Sequence, residues 1–438
     1  MNTKKIRLSI FILIITALTL TVYSTEQFLN EPVSYIEGID AYPFERVELL
    51  VDNSPNFKFE PYHEKNKLSH TALLKLTRGN NELHSANFFL HYSQGWNKNS
   101  GKNPILLVHG AGDTAFRAWA HPFKEEVEPN EQIEYYGLAL ELPQHGFQVF
   151  SITFAHSHGD NFMQSEHIAN AISRIRKVLG RENDENFKVD IIGHSKGGVS
   201  SRMYISDIRE EYDEYKWLTP FRKDVDKFMS LASPLNGVDA QYRYYGMNLL
   251  IVQDDYASPV GFDKLLYYGS YIDYSNNWKF FPGQDQLLNN LVDDPNSKIP
   301  FSNLSMTASD MNYTRNVLYY GGVSTFLTSS GIKKAMERGK NLISKLNKKG
   351  ADPSVRIIVL AGNDNQIDDN IEFWFDLLPI GEKISPSDML VFVKSATYTD
   401  GITRRGAKLL DKQVIPYNHM NITFHREAKK IIVDLMAK

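Results

Sequence analysis

The sequence predicts a doubly wound, mostly parallel α/β sheet. Three features carry that expectation: short runs that are apolar on both faces, helical patterns between them, and glycine-rich corners directly after several of the runs. Parallel strands covered by helices on both sides have no polar face, so they read as continuous apolar runs rather than alternating ones. Ile105 to Val108 is the first such run and ends at once in His109-Gly110-Ala111-Gly112. Gln148 to Phe154 is the second, leading into His156-Ser157-His158-Gly159-Asp160, and Val189 to Ile192 is the third, ending in Gly193. Lys227 to Leu231 precedes Ala232-Ser233-Pro234, and Arg356 to Leu360 precedes Ala361-Gly362. Between the runs, Ser165 to Leu179 sets Ile168, Ile172, Ile175 and Leu179 on one helical face, with Gly180 as a stop. Gly197 to Ile208 and His425 to Met436 read as helices in the same way. Strand–helix alternation of this kind makes a parallel sheet between helix layers.

Composition narrows the class. The chain has 438 residues, 42% hydrophobic, which is ample material for a core and excludes long disorder. A formal net charge of −4 does not recommend a nucleic-acid partner, which would normally want a basic face. With no cysteine, disulfides, thiol nucleophiles and thiolate metal sites are excluded. Lys4, Lys5 and Arg7 precede an apolar run from Leu8 to Val22 broken only by Ser9, Thr16, Thr19 and Thr21. That is the shape of a secretory signal, and it is short for a span of about 20 residues. Residues 1–24 are therefore expected to be a signal peptide, with Val22 and Ser24 ahead of the cut, or else an N-terminal anchor. A buried core helix is the third reading. Loss of the three basic residues would lower the net charge by three further units. An acidic, cysteine-free exported chain fits a bacterial periplasm or the medium.

Residues 25–100 read as an N-terminal extension with a few strands, Asn87 to Tyr92 among them, and carry no chemistry. Residues 101–438 read as one α/β domain in which about 235–350 interrupts the alternation. The early part of that insertion is dense in aromatics, including Tyr242, Tyr244, Tyr245, Tyr267, Tyr268 and Trp278. Such a segment is either a cap or lid over an apolar substrate site, the favoured reading, or a second small core.

Gly193-His194-Ser195-Lys196-Gly197-Gly198 is the central motif. In G-x-S-x-G the serine sits on a sharp bend between strand and helix, with its hydroxyl presented above the sheet. The glycines are required where strained backbone and close strand–helix approach leave no room for a Cβ. The setting fits, because an apolar strand precedes the turn and small residues open a helix after it. A phosphate loop would want Lys-Ser/Thr after the glycines, and Val199 stands there instead. Serine also needs a base for its proton and donors for the oxyanion. The expected donors are the backbone N–H groups of Lys196 and of Ala111 in the early glycine loop.

In order and rough spacing, His109-Gly110-Ala111-Gly112, Gly193-His194-Ser195-Lys196-Gly197-Gly198 and Leu231-Ala232-Ser233-Pro234 resemble the α/β-hydrolase lipases, bacterial secreted triacylglycerol lipases and esterases in particular. The resemblance covers residues 104–234 well and 355–436 moderately. It implies hydrolysis of a lipid or other acyl ester without an organic cofactor and a Ser-His-Asp triad; contact with a membrane or lipid interface is a further expectation, in line with the aromatic insertion. Its Asn-His loop is similar to Pro416-Tyr417-Asn418-His419-Met420-Asn421, which makes His419 the base. Two aspartates compete as the acid. Asp364 follows a strand directly, the general hydrolase position. Asp388 begins a stretch similar to the lipase pattern Asp-Gly-x-Val, with Met389 where glycine is common, and lies 31 residues from His419 against 55. Asp388 is the preferred acid, and the other aspartate would be a solvated or turn-forming loop residue.

Two rival readings come from the same chain. His156, His158 and Asp160 have the H-x-H-x-D spacing that opens a dinuclear metal-hydrolase site, although Asn161 stands where a further ligand is usual. A noncatalytic envelope protein that keeps a hydrolase fold is the alternative from another class.

Overall fold

The computed structural model describes residues 31–54, 67–98, 101–208 except 123 and 125, 219–243, 282–300, 331–366 and 384–438, with short pieces between 272 and 329. Residues 1–24, expected to be a signal peptide or anchor, lie outside these residues. No described helix is long and apolar enough to cross a membrane.

Nine strands form one sheet: β1 (Ser34–Glu37), β2 (Arg46–Val51), β3 (Asn87–Tyr92), β4 (Ile105–Val108), β5 (Val149–Phe154), β6 (Val189–His194), β7 (Val225–Leu231), β8 (Arg356–Gly362) and β9 (Lys408–Ile415). Their order is β1-β2-β3-β5-β4-β6-β7-β8-β9. β1 to β3 pair antiparallel and β3 meets β5 antiparallel, whereas the remaining strands run parallel. The extension thus contributes three strands of this sheet. It is fastened there by a buried ion pair in which Arg174 donates to both carboxylate oxygens of Glu48, at 2.8 and 2.9 Å. Tyr92 donates to the same carboxylate at 2.6 Å. Asn87 to Tyr92 is the strand expected there, and five of its six residues are buried, so it has no solvent-facing side.

The parallel strands are buried on both sides, as their runs require. Ile105 and Leu107 join one core with Ile192, Met229, Leu231, Ile358 and Leu360, covered by α1 (Leu138–Gln144) and α5 (Arg426–Met436). Leu106 and Val108 join the other with Phe150, Ile152, Ile191 and Phe228, covered by α2 (Asn161–Val178) and α3 (Lys196–Ile205). Ile168, Ile172 and Ile175 face that second core, which is the apolar stripe read from the sequence. α2 begins four residues earlier than expected. Asp160 caps it by accepting the Phe162 N–H at 2.7 Å, and its first turn is buried, Asn161 and Gln164 included.

Register brings the strand ends together. Val108 is opposite Gly193, His194 opposite Leu231, and Leu231 opposite Leu360. The chain segments leaving β4, β6, β7 and β8 therefore emerge along one edge of the sheet. Strand order reverses beside β4, and carboxyl ends at such a switch point are where α/β sheets hold ligands.

Of the insertion, Val238, Tyr242, residues 282–300 and α4 (Leu342–Lys349) are among the described parts. Tyr242 packs with Leu288, Tyr319, Ile332 and Ala335 as a small core of its own. Tyr244, Tyr245, Tyr267 and Tyr268 lie outside the described residues, and so does the side chain of Trp278.

Candidate active site

Ser195 terminates β6 and opens α3 at φ 52° and ψ −127°, a conformation that costs a non-glycine residue on the order of 1–3 kcal/mol. Its backbone is held on both sides: the Ser195 N–H donates to Leu231 O and the Gly198 N–H donates to Ser195 O, both at 3.0 Å. The glycines permit this bend. A Cβ on Gly193 would stand 2.6 Å from the Gly198 α-carbon, and one on Gly197 would overlap the carbonyl oxygens of Val108 and His109. Gly110 brings the early loop against the serine, since a Cβ there would lie 3.0 Å from Ser195 Cβ and 3.5 Å from Ser195 Oγ. Ala111 and Lys196 follow directly on these two contacts. The Lys196 side chain is fully buried.

Two histidines that the sequence reading gave no role lock this corner. His109 Nε2 accepts the Phe154 N–H at 3.2 Å, so its proton is on Nδ1, which donates to Gly110 O at 2.7 Å. Burial lowers His109 to a pKa of about 4, consistent with that neutral form. His194 Nε2 donates to His419 O at 2.9 Å, and the two rings lie 4.8 Å apart. Burial, then the neighbouring His419, lowers His194 to about 3. Buried histidines of this kind leave no spacing signature, which is why the sequence did not single them out.

Asp388 and His419 meet in the segments that follow β8 and β9. His419 Nδ1 and Asp388 Oδ2 are 2.8 Å apart, with Asp388 0% and His419 3% exposed. A carboxylate accepts here, so Nδ1 carries the proton and Nε2 is left as an acceptor. Asp388 Oδ1 accepts the N–H groups of Leu390 and Val391 at 3.1 and 2.7 Å, and the His419 N–H donates to Asp388 O at 2.8 Å. The Met389 position, where glycine is common, has φ 90°, the left-handed region that suits glycine. The other aspartate is elsewhere: Asp364 accepts the Gln366 N–H at 3.0 Å in a local turn. The structure thus brings Asp388, not Asp364, to His419, and His194, the residue before the serine, donates to the His419 carbonyl oxygen. Ser195 and His419 are not hydrogen-bonded to each other.

His156, His158 and Asp160 do not converge. His156 Nε2 donates to Leu83 O at 2.9 Å, and His158 lies against Gly112, whose added Cβ would be 2.8 Å from His158 Nε2. Asp160 caps α2 with one oxygen and accepts from Gln286 at 2.7 Å with the other. Among the described residues no three histidine or carboxylate side chains form a metal-holding group.

Residues 102–252 match the sequence model of the family Lipase (class 2). No curated protein matches the chain in sequence. Among solved structures, the mature form of a Bacillus licheniformis lipase is similar at 14% identity and TM-score 0.40, over 77% of this chain and 93% of that one. A thermostable carboxyl esterase from Bacillus coagulans, in complex with glycerol, is similar at 11% and 0.37, over 80% and 93%. An esterase from a Rhodococcus species is similar at 10% and 0.35, over 80% and 95%. The fold assignment rests on the sheet order rather than on these scores. The family match covers the glycine loop and the serine corner, and the fold around them is a nine-stranded, mostly parallel α/β sheet.

Proposed function

We propose that the protein cleaves esters of apolar acyl chains through Ser195, His419 and Asp388. The observation that carries this reading is the buried 2.8 Å contact between His419 Nδ1 and Asp388 Oδ2, tied by His194 to the serine corner. Ser195 Oγ attacks the ester carbonyl while His419 Nε2 takes its proton and passes it to the leaving alcohol. Asp388 fixes the tautomer that leaves Nε2 basic. The N–H groups of Ala111 and Lys196 hold the negative charge that develops on the carbonyl oxygen. The Ser–His hydrogen bond is the one link that closes with substrate in place. Water then repeats the sequence on the acyl-enzyme.

The aromatic insertion supports an apolar acyl group, so long-chain esters at a lipid interface rank above short soluble ones. Residues 1–24 support export to the periplasm or medium, or tethering to the membrane. The test is hydrolysis of p-nitrophenyl esters from acetate to palmitate, with and without an oil–water interface. Ser195→Ala is expected to lower kcat by about 10⁵- to 10⁶-fold with the fold retained. Full turnover in that variant would remove the serine mechanism. A preference for acetate with no interfacial gain would remove the lipid substrate and leave the triad.

A further inference from the structure

The two proposed oxyanion donors sit on different segments, Ala111 after β4 and Lys196 after β6; one short stretch of the insertion touches the Lys196 side chain directly and reaches the Gly110–Gly112 loop through His158. That stretch is the single helical turn Pro282–Asp285. A Cβ on Gly283 would overlap Lys196 Cε and the Gly159 carbonyl oxygen, so the turn lies directly on the buried Lys196 side chain. Lys196 Nζ in turn donates to Gln164 Oε1, and Gln164 Nε2 donates to His156 O at 3.0 Å. On the other side, the Gly283 N–H donates to His158 O at 3.2 Å. Gln284 Nε2 is 3.3 Å from His158 Nδ1. Since an amide nitrogen only donates, Nδ1 accepts there and the His158 proton is on Nε2, the edge lying against Gly112. The turn is fastened by Asn161 Nδ2 donating to Gly283 O at 2.9 Å, and by Gln286, whose Oε1 accepts the Asn161 N–H at 2.7 Å.

We infer that Gly283 and Gln284 are positioning residues that set the spacing of the two oxyanion donors, Gln284 through His158 onto the Gly110–Gly112 loop and Gly283 through the Lys196 side chain. Neither touches the reacting atoms. The inference rests on the proposed serine mechanism and adds to it that the insertion holds the oxyanion site in shape from behind. Donors held at a fixed separation matter only where charge develops, so their misplacement lowers kcat and leaves ground-state binding alone.

The test uses the full chain with a soluble p-nitrophenyl ester and a trifluoromethyl ketone, which captures the serine as a tetrahedral oxyanion. Gln284→Ala is expected to lower kcat about tenfold, with KM within about twofold, and to weaken the ketone by the same factor. His158→Ala should do the same, and the double variant should be little worse than either single one, because the two side chains act in series. Unchanged kcat and ketone affinity in Gln284→Ala, losses confined to KM, or fully additive losses in the double variant would each overturn the inference. Gly283→Ala probes the Lys196 arm, and the Gln284 and His158 variants decide the matter where it does not fold. Ser195→Ala separates the two levels: turnover retained in that variant removes the serine mechanism and this inference with it. An inactive Ser195→Ala beside a Gln284→Ala of full activity removes this inference alone.

Discussion

The serine corner and the Asp388–His419 pair are built differently, and the difference decides what each leaves in the sequence. The corner is made by backbone pressed against backbone: Gly193 on Gly198, Gly197 on the His109 carbonyl, Gly110 on Ser195. The pair is made by hydrogen bonds between loops, with Asp388 holding the N–H groups of Leu390 and Val391 and meeting His419 across 31 residues. Close approach allows only glycine and so writes a motif. A loop hydrogen bond accepts many neighbours and writes almost none. The comparison also reverses in quality of fit, since glycine stands where the corner needs it and Met389 stands at φ 90° where the acid loop would suit glycine.

The sharpest way to break the comparison is to exchange the roles of the two aspartates. Asp388→Asn is expected to lower kcat by about 10⁴-fold through the wrong imidazole tautomer, whereas Asp364→Asn should stay within about twofold. Steady-state kinetics on a soluble ester decide it, and the opposite ranking would move the acid to the end of β8.

Acid should destabilise the fold through its buried histidines, among them the two at the corner and His167, which burial lowers to about 3. His109 and His194 are fully buried, with pKa values lowered by burial to about 4 and about 3, against an unfolded value near 6.5. The unfolded chain therefore binds more protons between these limits. The stabilising contribution is complete above pH 6.5 and is lost as pH falls towards 4 and 3, by about 3 kcal/mol for His109 and about 5 kcal/mol for His194. Urea unfolding from pH 7 to pH 4.5 measures this. His194→Gln should flatten the slope, and an unchanged slope would mean that His194 is not held neutral.

Two single substitutions should then run in opposite directions. Gly197→Ala places a methyl group on two carbonyl oxygens and is expected to destabilise by about 3 kcal/mol. Met389→Gly relieves a left-handed residue and is expected to stabilise by about 1 kcal/mol, with kcat unchanged. Thermal unfolding of both variants checks the signs.

What could be read from the residues follows the same physics. The five strands buried on both faces were legible because their runs contain no polar side, and α2 and α5 because their apolar stripes face a core. β9 escaped notice: Lys408 to Ile415 is an edge strand with polar and charged residues along it and only Ile415 buried. β1 and β2 escaped because their place in the sheet depends on partners that follow in the chain, and on the Arg174–Glu48 pair, which joins positions 126 residues apart. In the candidate site, the bend at Ser195 and its glycine contacts could be read from the motif, and the Asp388–His419 contact joins one of the two candidate aspartates to the candidate histidine. His109, His158 and His194 were in view as letters, but their functions are contacts, and contacts between distant segments have no local pattern.

The most direct measurement is labelling with a fluorophosphonate, which reacts only with an activated serine, followed by mass mapping of the adduct. One label on Ser195 in the intact protein, and its loss in His419→Ala at an unchanged thermal midpoint, is the expected result. A folded protein that takes no label, or one labelled equally well without the His419 imidazole, would contradict the account.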